Sequence, residues 1–303
     1  MTDSTGLTVL VLSGGPDRER EVSIDGAACV AKALRAAGHT VIERQIDRND
    51  AAALDESFDV VFPLLHGPFG EGGPLQKMME QRHLRFVGCD SRAARFAIDK
   101  YLTKKAAEKV GIATPPYQQL GPAGELTIDL PVVLKPLNDG SSFNVAICRT
   151  PEEFAEARPR LHHHHAILLA ERFIKGREMT VGILDGQALP VIEIVPEAGI
   201  YDYRAKYLSD TTRYLFDFEA PAAAVEQMRR DATRLFEALG CRHLSRADFI
   251  LDGENRPWLL EINTMPGFTD HSLLPKAAAK TGLDMPALCD RLVRLAMGKP
   301  ISR

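Results

Sequence analysis

The stretch SRADFILDGENRPWLLEIN, residues 245–263, consists of two apolar runs separated by the polar segment DGENR. A glycine-containing polar segment between two strand-forming runs predicts a β-hairpin. If the hairpin is centred between Glu254 and Asn255, then Asp248 and Glu261 are equally distant from the centre. They therefore face each other across the antiparallel pair, on one side of the ribbon.

The same face of the predicted hairpin carries oxygen ligands for a hard cation. Arg246 and Asn263 lie on it because side chains two residues apart in a strand point the same way. Two opposed carboxylates repel each other unless a cation compensates them. The oxygens of Asp248, Glu261 and Asn263 suit Mg²⁺, which also binds substrate phosphates. The alternative is a structural network in which Arg246 pairs with an acid.

The composition is that of an ordinary globular chain. Its 303 residues are 45% hydrophobic and 26% charged, with a formal net charge of −4, so general nucleic-acid binding is not expected. The five cysteines form no C-x-x-C pair, which argues against a disulfide framework or a zinc site and fits a reducing cytosol. The polar start MTDSTG and the lack of a long uncharged apolar run argue against a signal peptide or a membrane span. We therefore expect a cytoplasmic protein.

The order of strand-forming and helix-forming segments predicts an α/β fold in three parts. In residues 1–92, the strands LTVLVLSGG, TVIERQI and DVVFPLL alternate with helix, which predicts a parallel sheet with helices on both faces. Residues 93–178 contain three apolar strands around a helix at 151–161. The expected elements of residues 179–303 are two strands, a polar loop at 199–218, a helix at 222–239, the hairpin and a helix near 286–297.

Two glycine-rich loops follow predicted strands. In VVLKPLNDGSS, Lys135 ends a strand before a Gly-Ser-Ser turn whose amides and hydroxyls can hold phosphate oxygens, although the pattern is not a P-loop. In LLHGPFGEGG, His66 and Glu71 follow a strand, where open α/β sheets bind ligands; a solvated turn is the other interpretation of this histidine. The run HHHH, residues 162–165, is expected to be a solvated loop, with a metal-binding tract as the alternative.

Nine motifs, in the same order along nearly the whole chain, resemble those of the D-alanine–D-alanine ligases of the ATP-grasp superfamily. They are GGPDREREVS, HGPFGEGGPLQ, DKYLTKK, VVLKPLNDGSS, ERFIKGREMTV, LPVIEIVP, YDYRAKYLSDTT, RADFILD and LLEINTMPGFTDHSL. The resemblance implies a three-domain ATP-grasp fold with an N-terminal open parallel-sheet domain, and with ATP held between the second and third domains. It also implies a homodimer.

The chemistry that the resemblance implies has two steps. ATP phosphorylates the carboxylate of one D-alanine, and the amine of a second D-alanine then attacks the acylphosphate, with release of phosphate. The product would be D-alanyl-D-alanine for peptidoglycan precursors. Metal and lysine groups would stabilise the charge on the transferred phosphoryl oxygens.

The resemblance assigns the hairpin face and its surroundings to ATP and a metal. The metal ligands would be Asp248, Glu261 and Asn263, which would hold Mg²⁺ or Mn²⁺, with two ions per site. The ATP-binding residues would be Lys100, Lys135, Ser142, Glu171, Arg172, Phe173, Ile174, Glu178 and Lys206. Backbone groups of residues 171–174 would bind the adenine, and Glu178 would bind the ribose hydroxyls.

The remaining assignments from the resemblance concern the two D-alanine substrates. The catalytic residues would be Glu19, Ser141, Tyr207, Arg246 and Gly267, and the substrate-binding residues would be His66, Ser272 and Leu273. Glu19 would hold the ammonium group of the first substrate. Arg246 and the Gly267 amide would stabilise the tetrahedral intermediate, and Ser272 and Leu273 would bind the carboxylate of the second substrate.

Three positions depart from the usual family pattern. Gly72 stands where an acidic residue is common, and Phe143 and Asn144 follow the Gly-Ser-Ser turn where a small residue and glycine are usual. Asparagine tolerates a left-handed backbone, so the turn can survive. The departures leave open a ligase with another amino-acid or hydroxy-acid acceptor, and a nucleotide-binding protein without ligase activity. Tyr207 favours an amine acceptor.

Overall fold

The computed structural model describes residues 6–46, 52–140, 144–197 and 211–298. Four residues with an expected role lie outside these ranges, namely Ser141, Ser142, Lys206 and Tyr207, and so does Phe143. Their roles stay predictions. Within the described ranges, no helix combines the length and the apolar character that crossing a bilayer requires.

The first part of the chain forms a three-stranded parallel sheet in the order β2-β1-β3. Its elements are β1 (Thr8–Gly14), α1 (Arg20–Ala36), β2 (Thr40–Ile46), a 3₁₀ turn (Ala52–Asp55), β3 (Val60–Pro63), α2 (Gly67–Gly70) and α3 (Pro74–Gln81). Alternate residues of β1 enter two different cores: Val9 and Val11 pack with α1, whereas Leu10 and Leu12 pack with Leu75 of α3. The expectation of a parallel sheet covered on both faces is confirmed.

The second part forms a four-stranded antiparallel sheet in the order β4-β7-β5-β6. Its elements are α4 (Ser91–Ile98), α5 (Lys100–Lys109), β4 (Tyr117–Leu120), β5 (Val132–Pro136), β6 (Ala146–Cys148), α6 (Pro151–His162) and β7 (Leu168–Arg172). The side chain of Asp99 accepts hydrogen bonds from the amides of Tyr101 and Leu102, at 2.9 and 3.0 Å, and so fixes the start of α5. The first residue of α5, Lys100, is thereby held at the opening of a cleft.

The third part forms a six-stranded antiparallel sheet in the order β11-β10-β8-β12-β13, with β9 paired to β8. Its elements are β8 (Gly176–Leu184), β9 (Gln187–Ala188), β10 (Ile192–Val195), β11 (Arg213–Leu215), α7 (Ala222–Leu239), β12 (Leu244–Asp252), β13 (Pro257–Asn263), α8 (Leu273–Ala279) and α9 (Met285–Ala296). The three sheets agree with the predicted fold class. The division of the chain at residues 92 and 178 stays a prediction.

The hairpin of β12 and β13 forms, and the predicted pairing holds at the end away from the turn. Asp248 lies opposite Glu261, but nearer the turn Phe249 pairs with Leu259, so that Leu260 is an extra residue on β13. Such a β-bulge shifts the alternation of side chains by one position. Leu260 and Glu261 therefore both line the same cleft, which a regular strand would not allow.

The first and third parts of the chain share one hydrophobic core. Phe62 of β3 lies in the same cluster as Leu274 of α8 and Leu288 of α9. Its ring meets that of Phe268 edge-on, with centroids 5.3 Å apart and an interplanar angle of 87°. This contact holds the segment after β13 against the end of β3, and so brings the hairpin to the edge of the parallel sheet.

Replacing Phe268 by alanine is expected to lower the free energy of unfolding by about 3–5 kcal/mol, because the ring is fully buried between two parts of the chain. Urea denaturation at neutral pH measures the change. Phe96, which is 40% exposed, provides the control: Phe96→Ala is expected to cost far less. Equal losses in the two variants would contradict the anchoring role of Phe268.

Candidate functional site

The hairpin face brings together the residues that the sequence predicted. Asp248 forms a bidentate ion pair with Arg246, whose Nε and Nη2 donate to Asp248 Oδ1 and Oδ2 at 2.9 and 2.8 Å. Thr180 of β8 also donates to Asp248 Oδ1, at 2.6 Å. The alternative in which Arg246 pairs with an acid is therefore confirmed for Asp248. It is compatible with a metal, since each carboxylate oxygen accepts more than one interaction.

The other two predicted metal ligands lie beside this pair. Asn263 is opposite Arg246 in the hairpin, and its Oδ1 accepts from the amide of Met265 at 2.9 Å, which fixes the amide group. Glu261 Oε2 lies 3.4 Å from Lys100 Nζ. Each of the opposed carboxylates thus has its own cation, with Arg246 on the same strand as Asp248 and Lys100 on a helix beside Glu261.

Lys100 stands where two clefts meet. Its Nζ donates to the backbone carbonyl of Asp139 at 2.6 Å, and Lys100, Asp139 and Glu261 line both clefts. The first cleft contains the residues expected to bind the amino-acid substrates, and the second contains those expected to bind ATP. The wall between the clefts is therefore made of one cation, one carboxylate and one backbone carbonyl.

The second cleft is lined by all the described residues that were expected to bind ATP. They are Lys100, Lys135, Glu171, Arg172, Phe173, Ile174 and Glu178, together with Asp248 and Glu261. The amides of Arg172 and Phe173 already donate to the carbonyls of Pro116 and Pro131, at 2.8 and 2.9 Å. Of the amides at 172–174, that of Ile174 has no such partner within the described ranges, and it is the donor best placed for a base.

The floor of the second cleft contains a buried ion-pair cluster that the sequence did not predict. Glu171 lies between Lys104 and Lys135: its Oε2 is 2.7 Å from Lys104 Nζ, and its Oε1 pairs with Lys135. Lys104 also donates to Thr114 Oγ1 at 2.5 Å. The available signal was the spacing of Lys100 and Lys104, since residues four apart share one face of a helix.

The charges of this cluster shift each other's pKa values. Burial lowers the pKa of Lys104 to about 8, although the nearby Glu171 acts in the opposite direction. Burial alone would raise the pKa of the Glu171 carboxyl, but the two lysines outweigh it and hold the pKa below its usual value. Glu171 is therefore ionised at neutral pH, and it fixes the position of Lys135.

The first cleft gathers every described residue that was expected to bind an amino-acid substrate or to act on it. They are Glu19, His66, Arg246, Gly267, Ser272 and Leu273, together with Glu71 and Asn263. Gly140 approaches Glu19 closely: a Cβ added to this glycine would lie 3.1 Å from both carboxylate oxygens. The glycine before the Ser141-Ser142 pair thus gives this carboxylate room at the junction of the two clefts.

Two buried groups at the edge of the first cleft have shifted pKa values. Burial lowers the pKa of His66, and the neighbouring Glu19 acts in the opposite direction. Burial and the charge of Glu19 raise the pKa of Glu71 to about 8. At neutral pH the imidazole is therefore neutral and Glu71 is largely protonated.

The departure at Gly72 has a structural reason. A Cβ at this position would lie 2.3 Å from the carbonyl oxygen of Pro68, so the loop as folded here requires glycine. The loop is stabilised instead by the amide of Gly67, which donates to Glu71 Oε1 at 3.2 Å, and by Gln76 Nε2, which donates to the carbonyl of Gly70 at 2.7 Å.

Family models match most of the chain. The model described as "D-ala D-ala ligase C-terminus" matches residues 107–294, and the one described as "D-ala D-ala ligase N-terminus" matches residues 42–89. The D-alanine–D-alanine ligase of Bordetella avium is 40% identical over 289 residues, covering 92% of this chain and 91% of that protein.

Solved structures have the same architecture. The D-alanine–D-alanine ligase of Bacillus anthracis complexed with ATP superposes with a TM-score of 0.84 and 26% identity, covering 97% of this chain and 98% of that chain. The VanG D-Ala:D-Ser ligase of Enterococcus faecalis superposes with a TM-score of 0.83 and 25% identity, covering 96% of this chain and all of that one, 100%.

Replacing Glu171 by glutamine is expected to lower the free energy of unfolding by about 3–5 kcal/mol, because two buried ammonium groups lose their common carboxylate. Urea denaturation at pH 7 measures the loss. Glu254→Gln is the matched control, since the Glu254 side chain is 80% exposed. A loss no larger than in this control would contradict the role of Glu171.

A second stability prediction concerns pH. The folded-state pKa of Glu71, about 8, lies above its usual value of 4.5, so its contribution to stability is complete below pH 4.5 and is lost as the pH rises through 8. Glu71→Gln removes this dependence. At pH 9 the variant is expected to gain up to about 5 kcal/mol relative to the parent, compared with their difference at pH 4.5, because each pKa unit of the shift is worth about 1.4 kcal/mol.

Urea denaturation at the two pH values tests this expectation. Glu125→Gln, at an exposed position, controls for the change of residue type. A difference between parent and Glu71→Gln that is the same at both pH values would contradict the raised pKa of Glu71.

Proposed function

Because the chain belongs to the D-alanine–D-alanine ligase family, we propose that it joins two D-alanine molecules to D-alanyl-D-alanine with ATP, through an acylphosphate, for peptidoglycan precursor synthesis. The observation that supports this most directly is the meeting of the two clefts at Lys100, Asp139 and Glu261. A phosphate group in one cleft and a carboxylate in the other can approach each other only at such a junction. The ammonium group of Lys100 would interact with both the phosphate and the carboxylate.

The hairpin residues fit a divalent metal. Asp248 and Glu261 are opposed carboxylates and Asn263 adds an amide oxygen, a set of hard ligands that suits Mg²⁺ or Mn²⁺. Among the described residues no group of three or more His, Cys, Asp or Glu side chains is arranged for a metal, so the amide and the substrate phosphates would complete the coordination. Asp248, Glu261 and Asn263 would together hold two ions. The bound metal would neutralise charge on the phosphates.

The residues of the chain act on the nucleotide by position and charge. Lys100 and Lys135 would bind phosphate oxygens, and Glu171 holds Lys135 in place for this. The amide of Ile174 would bind the adenine, and Glu178 the ribose hydroxyls. Ser142 and Lys206 would add further phosphate contacts.

The first cleft would bind both amino acids. The Glu19 carboxylate would hold the ammonium group of the first D-alanine, beside a neutral His66. Arg246, oriented by its ion pair with Asp248, would face the oxygen that becomes negative when the amine attacks, together with the amide of Gly267. Ser141 and Tyr207 would complete the contacts to the first substrate.

The acceptor's carboxylate would bind at the start of α8. Ser272 and Leu273 line the first cleft, and a Cβ at Gly267 would lie 2.8 Å from Ser272 Oγ, so the glycine keeps this corner open. The structural likeness to a D-Ala:D-Ser ligase makes a different acceptor the second candidate function. We further propose that the protein is a homodimer and that it works in the cytoplasm, where ATP is available and cysteines stay reduced.

Phosphate release in the presence of ATP, Mg²⁺ and D-alanine tests the function. The parent protein is expected to release phosphate, and Glu261→Gln to reduce the rate by about 100-fold or more, because charge on the phosphoryl group loses part of its compensation. Glu254→Gln, in the turn of the same hairpin, is expected to keep the parental rate.

The choice of acceptor is tested with mixtures of D-alanine and a competitor. Analysis of the products by mass spectrometry is expected to show D-alanyl-D-alanine in preference to products with D-serine, L-alanine or D-lactate. Phosphate release no faster than in Glu261→Gln would exclude the ligase function. If a product that contains the competitor exceeds D-alanyl-D-alanine, the result would support the second candidate function, a ligase with a different acceptor.

A further inference from the structure

Two members of the histidine run 162–165 have surroundings that differ from those of a solvated loop. His162 is the last residue of α6, and its Nδ1 lies 2.9 Å from the carbonyl oxygen of His165, so the expected loop is wrong for this residue. His163 and His164 are exposed, as expected. His165 is only partly exposed, and its Nε2 lies 3.5 Å from Asp139 Oδ2 and 3.4 Å from Asn144 Nδ2. The metal-tract alternative has no support, since no group of three metal-binding side chains of this kind occurs among the described residues.

Asp139, Asn144 and His165 form a closed group of three side chains. Asn144 Nδ2 donates to Asp139 Oδ2 at 3.0 Å, so all three pairs are in contact. With the proton on Nδ1, Nε2 of His165 accepts from Asn144. With a proton on Nε2, the ring instead faces Asp139 Oδ2 at the ion-pair distance of 3.5 Å.

Asn144 has a left-handed backbone, a conformation that glycine adopts readily. Its φ is 57°, in the left-handed region that asparagine tolerates better than most residues. The departure from glycine therefore costs the backbone little, and it adds a side-chain amide that glycine lacks. Asp139 and Asn144 also lie on either side of residues 140–143 in the sequence, so their hydrogen bond joins the two ends of that segment.

The group is connected to the junction of the two clefts. Lys100 Nζ donates to the backbone carbonyl of Asp139 at 2.6 Å and lies 3.4 Å from Glu261. A change in the position of Asp139 therefore moves the acceptor that holds Lys100. Asp139 lines both clefts, so the contacts of its side chain with Asn144 and His165 hold a residue of the wall between them.

We propose that His165 is a positioning residue for nucleotide binding: with Asn144 it holds Asp139, whose carbonyl orients Lys100 toward the phosphates. His165 itself touches no substrate. The inference rests on the proposed use of the second cleft for ATP, and it gives a function to one residue of the histidine run and to the departure at Asn144.

The test compares alanine substitutions within the run. His165→Ala is expected to raise the KM for ATP by about 3- to 10-fold, while the KM for D-alanine and the melting temperature stay near the parental values. His163→Ala and His164→Ala, at exposed positions of the same run, are the matched controls and are expected to leave all three quantities unchanged.

Two further variants separate positioning from a general effect on folding. His165→Gln keeps a side-chain amide that can donate to Asp139 and is expected to restore much of the ATP affinity. Asn144→Gly keeps the left-handed backbone but removes the side-chain contact, and is expected to raise the KM for ATP as well. The double variant is expected to differ from the sum of the single effects, because both residues act on Asp139.

Calorimetric titration of Mg²⁺-ATP into the same variants measures their ATP affinities without turnover. The positioning role of His165 can therefore fail while the ligase function holds, and the ligase function can fail while the positioning role holds. An ATP affinity in His165→Ala equal to that in His163→Ala would overturn the inference. A loss of stability that accounts for the whole effect, with no rescue by glutamine, would overturn it as well.

Discussion

The site depends on two carboxylates that face each other across one hairpin. Asp248 and Glu261 would repel each other if neither were compensated, and the fold gives each its own cation: Arg246 two residues along the same strand, and Lys100 from the start of a helix in another part of the chain. The second of these pairs joins helix α5 to the six-stranded sheet. The Lys100–Glu261 pair therefore both compensates a carboxylate of the site and holds the elements on either side of the cleft together.

The pairing of the hairpin could be predicted because it is local. The two apolar runs and the polar turn were sufficient to place Asp248 opposite Glu261. The strand contains a bulge, but the assumed hairpin centre gives the correct pairs on the side of the bulge away from the turn. Asp248 and Glu261 lie on that side. The described residues expected to bind or act on the amino acids, from Glu19 to Leu273, meet in one cleft. Glu19 and His66 follow strands of the parallel sheet, at the edge where open α/β sheets bind ligands. Arg246 lies within β12, and Gly267, Ser272 and Leu273 follow β13.

The parts that the sequence did not reveal depend on contacts between distant segments or on backbone atoms. Lys104 looked like an ordinary helix lysine, and only the approach of β7 makes it a partner of Glu171. The role of the Asp139 carbonyl cannot be read from the sequence, because every residue has a backbone carbonyl. The position of His165 beside Asp139 depends on how α6 ends. Of the group at the cleft junction, the departure at Asn144 was the feature visible beforehand, and its left-handed φ agrees with the expectation.

The bulge at Leu260 divides β13 into two halves with opposite orientation. On the turn side, Pro257 and Leu259 are buried; beyond the bulge Ile262 is buried instead. One strand therefore contributes odd-numbered residues to the core in its first half and presents odd-numbered residues to the cleft in its second half. The extra residue lets a single hairpin serve both as a wall of the hydrophobic core and as a platform of charged groups. The length of this strand therefore matters as much as its composition, because losing one residue would exchange the two faces of one half.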